Sequence, residues 1–173
     1  MRMSKPTLYI ANALGFSTHA REHTLRDIIG VVESMGFRVI EPFRDNNELS
    51  LAHERTVVQE LEIAARDAKG VEDSDGVLCV ISSPIPDEGS MIEVGMAMAM
   101  KKPVFYLNDD FRYRPRECAL PANLMLFTHT NAQTWQQYYY TSIDTLQDPT
   151  MALHKWITHV TQGVNSVLSP RAP

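Results

Sequence analysis

The sequence is short of cysteine, of net positive charge and of long apolar runs, and each shortage excludes something. Two cysteines among 173 residues, Cys79 and Cys118, are too few for a disulfide framework. Neither has metal-ligand spacing, and Cys79, inside an apolar stretch, reads as a small buried hydrophobe. Sixteen Lys and Arg stand against 21 Asp and Glu, for a net charge of −5. This argues against nucleic-acid binding, which needs clustered cations to neutralise phosphates. It leaves open a small ligand that carries no phosphate. No apolar run approaches the ~20 residues of a membrane-spanning helix, so the expectation is a cytoplasmic protein with no membrane partner. The amino-terminal MRMSKPTLYIANALGFS has basic residues before a mildly apolar stretch, as a signal peptide would. Tyr9, Asn12 and the direct run into helical sequence favour a first strand instead. The six histidines are scattered; His19 and His23, four apart on an expected helix, could pair on zinc, but no third ligand accompanies them. A solvated helix face is the preferred reading, and neither a metal nor any other cofactor is expected.

What the chain does have is enough apolar material, 44%, to bury a core, and a length that suits one domain over 1–173 with a frayed tail at 168–173. Strand and helix patterns alternate. Strands are expected at 7–13, 37–40, 76–82, 103–107 and 124–127. Helices are expected at 19–35, 49–68, 89–101 and 151–167, their apolar residues falling at helical spacing, as at Leu25, Ile28, Ile29 and Val32. Such alternation predicts a doubly wound α/β fold, flavodoxin- or Rossmann-like, with a mostly parallel five-stranded sheet and helices on both faces. Ligands of such sheets bind beyond the carboxyl ends of the strands. That rule directs attention to 12–17, 41–47, 82–93 and the loop from Asn108.

The most informative stretch is Asp87-Glu88-Gly89-Ser90-Met91-Ile92-Glu93-Val94-Gly95, after a buried strand and opening a helix. It has no Lys after the glycines, so it is not a phosphate loop, and ANALGFS lacks the glycine triplet of a dinucleotide site. Asp87 suits a helix N-cap. Glu93 sits about one turn into the helix among apolar neighbours, and a carboxylate there is costly unless paired or used. Two readings stand: a salt-bridged helix residue, or a reactive group at a strand end. A carboxylate so placed can stabilise or attack an anomeric carbon as a glycosidic bond breaks, while a second carboxyl exchanges protons with the leaving group. Asp75, before the third strand, is a candidate for that second group, although Asp is also common in turns.

The chain resembles the nucleoside 2-deoxyribosyltransferase family. The resemblance runs from LYIANALGFS through Asn123-Leu124-Met125 and centres on D-E-G-S-M-I-E-V-G-M-A-M-A. It implies an enzyme that moves 2-deoxyribose between nucleobases by double displacement, with no cofactor. It implies Glu93 as nucleophile, Tyr9 as the residue aiming it, and Asp75 as the nearest match to the proton-transferring Asp. Asp87 would bind the sugar hydroxyl, and Phe16 would lie over the base, in a loop that departs from the family's common Gly-Pro form. Asn123, with Met125 beside it, would complete the site of a neighbouring subunit, which makes the expected protein a homo-oligomer, built on dimers. The expected partners are a deoxyribonucleoside and a free nucleobase. One rival reading is an N-glycosidase hydrolysing deoxynucleosides or their 5′-monophosphates; a non-catalytic nucleotide sensor is another.

Overall fold

A computed structural model describes residues 5–45, 54–83, 85–110 and 119–161. Five parallel strands, β1 (Thr7–Asn12), β2 (Arg38–Ile40), β3 (Gly76–Val80), β4 (Val104–Leu107) and β5 (Tyr139–Tyr140), form one sheet in the order β2-β1-β3-β4-β5. Every neighbouring pair is parallel, so the α/β expectation holds. The strand reversal falls between β1 and β3, where an open sheet of this order leaves a crevice at its carboxyl edge.

Alternation along the strands sends side chains to two cores. Leu8 and Ile10 face one side, with Leu78, Val80, Phe105 and Leu107. A helical run over 18–34 (α1) and helix Ala152–Thr161 cover that side through Leu25, Ile28, Val32, Leu153, Trp156 and Ile157. Tyr9 and Ala11 face the other side, with Val77, Cys79, Val104 and Tyr106. Helices Val57–Asp73 (α3) and Glu88–Ala99 (α4) cover it, through Val71, Val94 and Ala97. The short turn Pro42–Asp45 (α2) lies between β2 and α3.

The helix over 18–34 is not uniform: a π-helical turn, Arg21–Leu25, separates α-helical Thr18–Ala20 from Arg26–Ser34. The α3 helix opens with a capping box, the Thr56 hydroxyl accepting from Gln59 N while Gln59 accepts from Thr56 N. It ends at Asp73, five residues beyond the expected stop, because Gly70 is tolerated inside it. There the ring of Tyr9 packs so closely that a Cβ on Gly70 would come within 2.8 Å of Tyr9 Cε2. The Lys102 ammonium finishes this helix by donating to the carbonyls of Val71, Glu72 and Ser74.

The expected fifth strand is in the wrong place. Leu124–Phe127 is a 3-10 turn capped by Asn123, and the last strand is Tyr139–Tyr140. Apolarity alone does not separate a short buried turn from a short strand; Phe127 packs its ring on Tyr106 instead of adding to the ladder. The expected tail at 168–173 and the start of the helix expected at 49–68 fall outside the described residues.

Candidate active site

The crevice at the carboxyl ends of β1 and β3 holds a cavity of about 280 Å³. Asn12 and Phe16 come from the end of β1 and the loop after it, Pro42 and Phe43 from the loop after β2. Arg55, Glu60, Ile63 and Asp67 come from α3 and its approach, and Asp87, Gly89, Ser90 and Glu93 from the start of α4.

Each side chain has a local reason for its place. Asp87 is the N-cap of α4, and its Oδ2 accepts from Ser90 N at 2.8 Å and from the Ser90 hydroxyl at 3.0 Å. A carboxylate has two oxygens and about four lone-pair directions, so a cap can also face a ligand. Glu93 lies six residues on, over the sheet. Tyr9, fully buried in β1, donates its hydroxyl to Glu93 Oε1 at 2.5 Å. That is short, as a charge-assisted O–H···O⁻ contact is. The strand thus fixes the phenol, and the phenol fixes the carboxylate.

The electrostatics are one-sided. Burial pushes the Glu93 carboxyl up from 4.5 to about 7; the Tyr9 hydrogen bond works against the rise, and the charges of Asp67, Asp87 and Glu41 add to it. Burial first, and then the charges of Glu93, Asp67 and Glu41, hold the Tyr9 hydroxyl far above its ordinary value, so it stays a donor. Glu60, Asp67, Asp87 and Glu93 line the cavity, with Arg55 as the cation, 3.8 Å from Glu60. Among the described residues no three His, Cys, Asp or Glu side chains gather as metal ligands. His19 and His23 lie with ring centroids 4.5 Å apart on α1, away from the cavity lining.

The structure brings Glu93, Tyr9, Asp87 and Phe16 together; Tyr9 reaches the cavity only through Glu93. It does not bring Asp75 there. Asp75 Oδ2 accepts from Thr7 N, and Asp75 N donates to Thr7 O, both at 2.7 Å, at the amino ends of β1 and β3. The length of a strand, roughly 16 Å at ~3.3 Å per residue, separates it from the cavity. Asp75 instead lines a separate cleft with Lys5, Thr7 and Arg38. The carboxylate that does act on Glu93 from α3 is Asp67, which sequence reasoning missed. The available signal was its phase on α3: Ile63, Asp67 and Val71 are four apart, one stripe that turns from the cavity into the core.

Asn123 and Met125 lie outside the cavity of their own chain. Asn123 Oδ1 accepts from Met125 N at 2.9 Å as a cap, and Leu124 and Met125 are 68% and 63% exposed.

The parallel-sheet fold has counterparts among known proteins. The chain belongs to the nucleoside 2-deoxyribosyltransferase family, whose model matches residues 8–125. Its fold is similar to that of a 2-deoxyribosyltransferase from the psychrotolerant bacterium Bacillus psychrosaccharolyticus, with a TM-score of 0.60 and 18% identity over 82% of this chain and 90% of that one. It is also similar to a 2-desoxiribosyltransferase from Leishmania mexicana, with a TM-score of 0.62 and 19% identity over 89% of this chain and 98% of that one. No curated protein matches the sequence. Among the described residues, no helix is long and apolar enough to cross a membrane.

Proposed function

We propose that the protein transfers 2-deoxyribose from one nucleobase to another through a covalent ester on Glu93. The observation that carries this reading is the Tyr9–Glu93 contact at the edge of an apolar-backed cavity. In the first half-reaction Glu93 Oε bonds to the anomeric carbon, the bond from that carbon to the base nitrogen breaks, and its electron pair leaves with the base. Asp67, in its protonated form, gives the departing nitrogen its proton, the role the sequence had suggested for Asp75. A second base then attacks the same carbon, loses its proton to Asp67 and frees Glu93. Two inversions leave the configuration retained.

Tyr9 keeps one Glu93 oxygen occupied and leaves the other for attack. Asp87 binds the sugar 3′-hydroxyl with the oxygen not used in capping, and Phe16 covers the base. The cavity is near the lower end of small-molecule sites, about 300–1,000 Å³, which suits one nucleoside. Among the described residues, four carboxylates against one arginine line the cavity and disfavour a phosphate, so the nucleoside is preferred to its 5′-monophosphate. Leu124 and Met125 expose apolar surface beside Asn123, which supports a second copy covering them and contributing Asn123 to a neighbouring cavity.

The test is incubation with deoxyinosine or thymidine plus adenine, following new nucleoside by chromatography, with mass spectrometry of the Glu93 peptide. Exchange with a mass increase of one deoxyribosyl group supports the reading. Hydrolysis without exchange, or activity confined to 5′-monophosphates, replaces it with the N-glycosidase alternative.

A further inference from the structure

The two loops that wall the base end of the cavity are joined beneath by a buried carboxylate that the mechanism does not use. Glu41, at the end of β2, is 1% exposed, and Asn12, at the end of β1, is 6% exposed. Glu41 Oε1 accepts from Asn12 Nδ2 at 2.9 Å and from Phe43 N at 3.3 Å, while Oε2 accepts from Arg44 N at 2.8 Å. Asn12 holds its own loop, its Oδ1 accepting from Leu14 N at 3.0 Å and Gly15 N at 3.3 Å. No ion pair to Glu41 occurs among the described residues; the Arg44 guanidinium is engaged by Glu33, Asp45 and Val39 O. A buried charge held only by neutral donors is costly, and plain filling of the space would favour an apolar residue.

What this network fixes is aromatic. Phe43, whose N–H is held by Glu41, lays its ring against Gly15 so closely that a Cβ there would fall 2.0 Å from it. Phe43 and Phe16 meet edge to face, with centroids 4.9 Å apart and planes at 80°. Both rings line the cavity, whereas Glu41 does not. On the exchange reading above, we infer that Glu41 is a positioning residue: through Asn12 and the Phe43 backbone it sets the Phe16–Phe43 wall on which the incoming base stacks. It never touches the substrate. A stacked base depends on ring placement within about half an ångström, and two surface loops do not supply that by themselves.

The experiment measures kcat and KM for adenine in exchange from deoxyinosine, with Glu41→Gln, Phe43→Leu and the double variant. Glu41→Gln is expected to raise KM for adenine about tenfold, within the range of base–aromatic stacking, with kcat changed less than about threefold. Phe43→Leu should do the same, and the double variant should be no worse than either single one, since both act on one wall. A merely structural Glu41 would lower the active fraction, and so kcat, at unchanged KM. Unchanged KM in Glu41→Gln, or effects that multiply in the double variant, overturns the inference. If Glu41→Gln does not fold, Gly15→Ala displaces Phe43 without touching the carboxylate, and an unshifted KM in that variant overturns the inference equally. Wild-type protein without exchange activity defeats the exchange reading and this one together; an active wild type with unshifted variants defeats only this one.

Discussion

The two ends of the sheet hold aspartates of opposite kinds. At the amino end Asp75 exchanges two hydrogen bonds with Thr7, and the Lys102 ammonium lies close enough to feel its charge. At the carboxyl end Asp67, Asp87 and Glu93 crowd one cavity, and their mutual repulsion adds to the burial that raises Glu93. The lesson is that a carboxylate tied to a strand by paired hydrogen bonds serves the fold, while carboxylates crowded in a buried cavity raise one another towards the range that chemistry can use. At the second end the Tyr9 phenol holds Glu93, and Ser90 holds Asp87 as the helix cap.

The sharpest way to break this contrast is Glu93→Gln. Exchange is expected to fall by roughly 10⁴-fold, as when a covalent nucleophile is removed. Stability should move the other way. The folded Glu93 carboxyl binds its proton more tightly than the unfolded one, so its favourable contribution is complete below the ordinary 4.5 and is lost as pH rises through about 7. The variant lacks that loss. Its Tm should therefore exceed the wild type's at pH 8, with the gap closing towards pH 4, as read by calorimetry. A variant less stable at pH 8 would mean that the carboxylate is structural.

Next come the paired substitutions at the two ends. Asp67→Asn is expected to cost about 10²-fold in kcat, the lower range for a proton-transferring group. Asp75→Asn should leave kcat within about twofold and cost about 1–2 kcal/mol of stability in urea unfolding, because Thr7 N–H loses a charged acceptor. If the two variants exchange these effects, the assignment of the ends is reversed.

Tyr9→Phe should lower kcat by about tenfold and raise the apparent pKa of the activity profile, since the hydroxyl is the group that opposes the rise at Glu93. In the wild type itself kcat/KM should climb as pH rises towards about 7, as the free enzyme's Glu93 ionises. A flat profile from pH 5 to 8 would contradict the buried-carboxylate picture.

Much of this was readable from the chain, for local reasons. The alternating pattern located four of five strands, because a core strand needs an unbroken apolar run and a helix needs apolar residues at 3.6 spacing. Asp87 and Glu93 stood out because an N-cap and a carboxylate among Met91, Ile92, Val94 and Met96 are features of one short segment. The fifth strand was missed because Tyr139–Tyr140 contributes only two residues and, among the described residues, pairs with β4 alone. Asp67 was missed because its stripe with Ile63 and Val71 becomes a cavity wall only once α3 is packed on the sheet.

By itself, then, the sequence determined the α/β class, the capped helix at Asp87 and the placing of Glu93 near the entrance of that helix, since each follows from spacing within about ten residues. The tertiary structure alone decided which carboxylates meet. Asp75 and Asp67 are eight residues apart in the chain and lie at opposite ends of the sheet, because α3 runs back along the strands before β3 begins. The Tyr9–Glu93 bond joins residues 84 apart, and the Asn12–Glu41 bond residues 29 apart. Those contacts depend on parallel register and helix packing, quantities that no local window of sequence contains.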